Sequence, residues 1–226
     1  LTIARFKIVI ILLNQWTLSM GLFEATGKFS FLKVNSWLFV ALAMVFFLLV
    51  LTTCAGKPYR KMAIENPHAL ISKEDSLMRD GASAHLISSF AIAHKALGLK
   101  TMQEKDYRSA LKHFSRSIEV FKKDTLLMYN LLLCKAHLDY NTGKKDKLWD
   151  AIEIYNKASL LMPSRGEAHY YIGRSYHRLG DKDFDLIIDS YQKALSLNNT
   201  KELTVEIQDN LDRAISREKR LRDFWK

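Results

Sequence analysis

Three stretches of the chain repeat one spacing: a small or aliphatic residue, an aromatic residue four positions later, and a small residue three positions after that. The spacing occurs at Ala110/Phe114/Ser117, Ala151/Tyr155/Ala158 and Ile187/Tyr191/Ala194. Because residues four and three apart lie on one face of an α-helix, each stretch predicts a helix with a single packing face. The small residues let a second helix approach closely, and the aromatic ring fills the space between the two helices. We therefore expect a chain built from repeated helix pairs.

A second pattern precedes two of these stretches and completes the helix pair. Leu97-Gly98 and Ile172-Gly173 each place a glycine on the preceding helix, where the aromatic residue of the next helix can pack against it. Nine residues are accordingly expected to pack the repeats together: Gly98, Ala110, Phe114, Ala151, Tyr155, Ala158, Gly173, Tyr191 and Ala194.

The combined pattern resembles the tetratricopeptide repeat (TPR), a helix–turn–helix unit of about 34 residues. The resemblance covers residues 91–199 in three units, roughly 91–124, 125–165 and 166–201, the second with extra residues near Tyr140–Leu148. It implies an all-α, TPR-like solenoid of about three repeats, closed by a capping helix from about Lys201 to Phe224. An unrelated bundle of amphipathic helices is the alternative fold.

Composition agrees with a folded helical chain. Of the 226 residues 48% are hydrophobic, which excludes disorder over most of the chain. Two Cys exclude a disulfide scaffold, and three Pro and nine Gly argue against an all-β fold. The net charge of +10 is weak evidence for nucleic-acid binding, so no nucleic-acid partner is expected.

Residues 1–53 are interpreted as a signal peptide or membrane anchor. The uncharged stretch Trp37–Leu51 is short for a bilayer span but fits the apolar region of a secretory signal, which follows a basic segment. Lys28 and Lys33 supply that segment if translation begins at Met20. A fragment, or a non-Met start codon, would also explain the first residue, Leu1.

The sequence Leu51-Thr52-Thr53-Cys54-Ala55-Gly56 resembles the lipobox of bacterial lipoproteins. The resemblance implies that Cys54 is lipidated and becomes the first mature residue, and two acyl chains give stable anchoring where one does not. An uncleaved N-terminal anchor is the alternative. Both interpretations place the rest of the chain in the cell envelope of a bacterium, facing the periplasm. Residues 54–72 are expected to be a tether, either without regular structure or with a short helix, and residues 73–226 the solenoid.

No residue pattern indicates catalysis, a metal site or a cofactor. The seven His are scattered, no phosphate-binding loop or nucleophile motif occurs, and Cys134 lies in an apolar helix where an inert thiol is expected. We therefore expect that the chain is not an enzyme.

The TPR resemblance implies a groove lined by the first helix of each pair. By register, nine residues are expected to form its protein- or peptide-binding surface: Lys95, Leu99, Tyr129, Leu133, His137, Tyr170, Arg174, His177 and Arg178. This surface changes from apolar to basic and aromatic, which suits a peptide with an apolar segment and an acidic end. Alternatively, an N-terminal helix covers the apolar positions.

The sequence thus favours a membrane-anchored scaffold that binds a protein or peptide in envelope assembly or transport. An accessory lipoprotein of a solute transport system, holding or passing a small ligand, is the alternative. The basic residues of the last helix (Arg213, Arg217, Lys219, Arg220 and Arg222) suit either a solvated cap or binding to anionic lipid or acidic protein.

Overall fold

A computed structural model describes Met44 and residues 57–79, 81–180 and 182–226. The expected anchor, residues 1–53, and the expected lipidation site, Cys54, lie outside the described residues apart from Met44. Gly56–Lys226 forms one compact unit. Its helices are α1 (Lys57–Glu65), α2 (Pro67–Ile71), α3 (Glu74–Arg79), α4 (Ala84–Gln103), α5 (Tyr107–Val120), α6 (Thr125–Thr142), α7 (Lys145–Leu161), α8 (Glu167–Leu179), α9 (Phe184–Leu195) and α10 (Lys201–Phe224).

From α4 onward, each helix packs against the next helix in the sequence. Short connections join α4 to α5, α6 to α7 and α8 to α9, giving three helix pairs, and α10 follows the last pair. The described residues form no strand beyond one isolated bridge between Arg165 and Asn198. The all-α, TPR-like solenoid with its capping helix is therefore confirmed.

Polar side chains cap the first turns of several of these helices, among them α5, α6 and α10. The side chains of Asp106, Asp124 and Thr200 accept hydrogen bonds from backbone N–H groups in the first turns of α5, α6 and α10. These caps satisfy N–H groups that have no partner within a helix. At the other end of α6, Gly143 adopts a left-handed conformation with φ 70°, which ends the helix at little cost because glycine has no side chain.

The glycines of the repeat pattern allow close approach within two helix pairs. A Cβ atom at Gly98 would lie 2.6 Å from Cδ1 of Phe114, and one at Gly173 would lie 2.7 Å from Cε1 of Tyr191. Ser117 at the end of the first spacing donates a 2.9 Å hydrogen bond to the carbonyl of Ala91 across the α4–α5 interface. The structure places all nine expected packing residues in the interior.

The segment expected to be a tether is where the structure differs most from the sequence-based expectation. Residues 57–71 form α1 and α2, which pack on α4 and bury Ala63 and Leu70 against Leu86, Phe90 and Ala93. Pro67 occupies the first turn of α2, where its missing N–H is harmless, so its presence does not indicate a loop. These two helices cover the side of α4 that would otherwise expose apolar surface at the start of the solenoid, as solenoid ends require.

A histidine pair joins the N-terminal helices to the first repeat. Nδ1 of buried His94 lies 2.9 Å from Nδ1 of His113, and Nε2 of His94 lies 3.0 Å from a carboxylate oxygen of Glu74. Burial, with the neighbouring His94, lowers the pKa of His113. Glu74 belongs to α3, a helix with no fully buried residue, and this contact attaches α3 to the solenoid together with the packing of Leu77.

Across residues 57–79, 81–180 and 182–226, none of the helices combines the length and the apolar character that a membrane span needs.

Candidate functional site

An open pocket of about 470 Å³ lies where the C-terminal ends of α6 and α8 meet the middle of α10. Six residues line it: Tyr140, Arg174, His177, Arg178, Asn210 and Arg217. We call it the Arg174 pocket. It brings three guanidinium groups from two different helices to one place on the surface.

The end of α6 positions Arg178. Nη1 of Arg178 donates a 2.7 Å hydrogen bond to the carbonyl of Tyr140 in the last turn of α6, which also accepts a hydrogen bond from the backbone N–H of Gly143. The guanidinium carbon lies 4.5 Å from the centre of the Tyr140 ring, which is a cation–π distance. Gly143 leaves room for this arrangement, because a Cβ atom there would approach Nη2 of Arg178 to 2.8 Å. Arg178 itself is exposed, so its remaining donors face solvent.

Aromatic rings and one carboxylate hold Arg174. Its guanidinium carbon lies 5.6–5.7 Å from the ring centres of Tyr140, Tyr170 and Tyr171. Nη1 also lies 3.5 Å from Oε1 of Glu206 on α10. The Tyr170 hydroxyl donates a 2.6 Å hydrogen bond to the same oxygen and accepts a 3.1 Å bond from Asn210 Nδ2. Arg174 is thus held by three neighbouring rings at cation–π distance and by one carboxylate, a preorganised arrangement for a second anion.

The pocket is electrostatically basic. Three positively charged side chains line the pocket, those of Arg174, Arg178 and Arg217. The carboxylate of Glu206 contacts one of them, Arg174. Arginine presents a planar fork of donors that matches carboxylate and phosphate oxygens. In the part of the chain that the structure describes, no group of three His, Cys, Asp or Glu side chains is arranged to hold a metal ion. Its three arginine side chains suit the pocket to binding an anion.

Four of the nine expected groove residues do not line a surface. Tyr129, Leu133 and His137 on α6 and Tyr170 on α8 are almost completely buried. The reason for the first three is that α6 is apolar around most of its circumference, and such a helix lies inside the protein. The periodicity of α6 therefore did not identify which side faces solvent. Tyr170 packs instead in the core that α8, α9 and α10 share.

His137 is a core histidine. Its Nδ1 atom lies 2.7 Å from the Tyr155 hydroxyl, and its ring stacks on Tyr107 with centroids 4.4 Å apart. Burial, with Arg174 nearby, lowers its pKa to about 3, so the imidazole is neutral at physiological pH. Cys134 is similarly inert, because burial raises the pKa of its thiol to about 12.

The other five expected groove residues reach the surface in two places. Arg174, His177 and Arg178 line the Arg174 pocket. Lys95 and Leu99 lie on α4, where Leu99 is exposed and Lys95 donates a 2.5 Å hydrogen bond to Asp124. This bond from Lys95 lowers the pKa of Asp124. The apolar end of the expected groove therefore contributes a single exposed leucine.

Three pocket residues were not among the expected groove residues: Tyr140, Asn210 and Arg217. Arg217 belongs to the basic cluster of the last helix, but sequence spacing gave no sign that this helix faces α8. Gly143 is the sequence feature that could have pointed to this pocket. A glycine in a short turn between two helices indicates a left-handed C-cap. A helix end of this kind offers carbonyl groups that a basic side chain can bind.

No family model and no curated protein sequence matches the chain. Among solved structures, the chain is similar to MamA 41-end from Desulfovibrio magneticus RS-1, at 15% sequence identity and a TM-score of 0.42. That match covers 74% of this chain and 93% of the MamA chain. The assignment of helix pairs rests on the packing of α4–α10 described above.

Proposed function

We propose that the chain is a scaffold that binds an acidic segment of a protein partner in the Arg174 pocket. The observation that carries this proposal is that three arginines from α8 and α10 line one open pocket beside the ring of Tyr140. A peptide carboxylate can accept hydrogen bonds from the exposed side chain of Arg178, while Arg174 and Arg217 add positive charge beside it. In this proposal the chain binds its partner and carries out no catalysis.

Reversing two charges at the pocket tests the proposal. We expect the variant Arg178→Glu with Arg217→Glu to bind a fluorescein-labelled hexaglutamate peptide at least about tenfold more weakly than the wild type, because two attractive contacts become repulsive. The measurement is fluorescence anisotropy on the full chain in detergent. Binding by the wild type should also weaken with added salt, since exposed charges are screened.

A charge-matched control separates the pocket from general basicity. The variant Arg116→Glu with Lys157→Glu changes the net charge by the same amount on α5 and α7, at side chains that are both 59% exposed. The control should bind the peptide like the wild type. Equal weakening in both variants would mean that the peptide responds to net charge alone, and the pocket proposal would fail. Cross-linked recovery of partners from cells, repeated with the same two variants, then identifies the physiological ligand.

We infer that the chain acts in the bacterial cell envelope, anchored through Cys54 and facing the periplasm, in envelope assembly or transport. The resemblance of residues 51–56 to a lipobox supports this inference. The variant Cys54→Ala is expected to accumulate as an uncleaved precursor without acyl chains, measured as the intact mass of the membrane-extracted protein. A mature mass equal to that of the wild type would contradict lipidation and leave the uncleaved anchor as the alternative.

The three arginines of the pocket also suit a second candidate function, that of an accessory lipoprotein holding a small anionic solute for transport. Native mass spectrometry of the purified full chain distinguishes the two functions. A co-purifying small acid that the Arg178→Glu, Arg217→Glu variant loses would favour the solute-holding function over the scaffold.

A further inference from the structure

One face of α10 carries an ordered stripe of charge. Six residues lie on it at spacings of three and four, which places them along one side of the helix: Glu202, Glu206, Asp209, Arg213, Arg217 and Arg220. All six are exposed, while Ile207, Leu211 and Ala214 on another side of the same helix are buried in the core. We call the six residues the α10 stripe. Its first three members are acidic and its last three are arginines.

Four members of the stripe have unused charge. Within the described residues, Glu202, Asp209, Arg213 and Arg220 make no ion pair, whereas Arg222 pairs with Glu218 and Lys226 with Asp223 near the end of the chain. Glu206 contacts Tyr170 and Arg174, and Arg217 lines the Arg174 pocket. The unpaired charges thus lie on one continuous, solvent-facing surface.

The order of the charges is self-complementary. When a second α10 is laid antiparallel along the stripe, Glu202 faces Arg220, Glu206 faces Arg217 and Asp209 faces Arg213, each pair centred on the turn that contains Leu211. A two-fold axis at that turn makes every pair occur twice, as in an isologous dimer interface. A parallel arrangement would instead place like charges opposite each other.

We propose that two copies of this chain associate through antiparallel α10 stripes. A uniformly acidic partner would be repelled by the first half of the stripe, and a uniformly basic partner by the second half, while a second copy matches both halves. The contact is formed by exposed charges without an apolar centre, so the dimer is weak and sensitive to salt. This inference goes beyond the proposed scaffold function and does not depend on it.

Charge reversal and restoration test the dimer. We expect the full chain in density-matched detergent to sediment as a dimer at 200 µM protein and about 50 mM salt, and to dissociate at about 500 mM salt. The variant Arg213→Glu with Arg220→Glu should be monomeric, and so should the variant Glu202→Arg with Asp209→Arg. Combining all four substitutions restores complementary pairs and should restore the dimer.

Three results would overturn the dimer proposal. A wild type that is monomeric at low salt would overturn the proposal, and so would dimers that survive both reversals, because the interface would then lie elsewhere. Failure of the fourfold variant to regain the dimer, while its far-UV spectrum and melting temperature match the wild type, would also overturn it. These variants leave Arg174, Arg178 and Arg217 unchanged, but the dimer would engage Arg217 and Glu206 beside the Arg174 pocket. Hexaglutamate binding therefore reports separately on the scaffold proposal when it is measured on samples dilute enough to be monomeric.

Discussion

Replacing Tyr155 by Ala is expected to lower the free energy of unfolding by about 3–5 kcal/mol, the usual cost of removing a buried aromatic side chain. Tyr155 is fully buried in the core shared by α6, α7 and α8, and its ring stacks on Tyr171. The substitution also removes the hydrogen-bond partner of buried His137, which adds the penalty of an unsatisfied polar group. Urea denaturation followed by far-UV circular dichroism measures the change.

Two further variants serve as comparisons for Tyr155→Ala. Tyr155→Phe keeps the ring and removes the hydroxyl, so it should cost about 1–3 kcal/mol through His137 alone. Trp149→Ala lies on the same helix at a side chain that is 52% exposed, and it should cost clearly less than Tyr155→Ala. If Tyr155→Ala cost no more than the Trp149 control, the aromatic position of the second repeat would not be a core position.

Gly98→Leu is expected to destabilise the protein by about 2–3 kcal/mol through overpacking. A Cβ atom at Gly98 already comes within 2.6 Å of the Phe114 ring, which is itself fully buried. The rest of a leucine side chain must therefore push α4 and α5 apart. Differential scanning calorimetry would show a lowered melting temperature.

Lys100→Leu is the matched control for Gly98→Leu. It introduces the same side chain into α4 two positions away, at an exposed residue, and should change stability by no more than about 0.5 kcal/mol. Because replacing a glycine within a helix by leucine also improves helix propensity by roughly 0.5–1 kcal/mol, a stabilised Gly98→Leu variant would show that α4 and α5 are not in close contact.

The helix pairs follow from local spacing, which is why the sequence predicts them. The small–aromatic–small spacing around Phe114, Tyr155 and Tyr191 depends only on which residues share a helix face, and the structure places all three rings in the interior. The capping helix was expected from about Lys201 to Phe224, and α10 has those bounds. The periodicity of an amphipathic helix determines its buried face without knowledge of its neighbours.

The same method fails where a helix is apolar on several sides. The register of α6 placed Tyr129, Leu133 and His137 in a groove, yet they lie in the core, because the packing of α5, α7 and α8 around α6 decides which side remains open. For residues 57–71 the sequence led to the reverse mistake, in which packed helices were expected to be a linker. The sequence predicts a tether there, whereas contact with α4 buries Ala63 and Leu70 and stabilises two helices.

What the sequence by itself determined is the repeat: helix pairs, their small and aromatic contact residues, and the basic end formed by Arg174, His177 and Arg178. What only the tertiary structure decided is the pocket. Tyr140 of α6 and the α10 residues Asn210 and Arg217 are far apart in the sequence, and they lie beside Arg178 because the end of α6 and the middle of α10 pack next to α8. The physical reason is that a helix face is set by neighbours three and four residues away, while a site is set by which helix ends pack side by side.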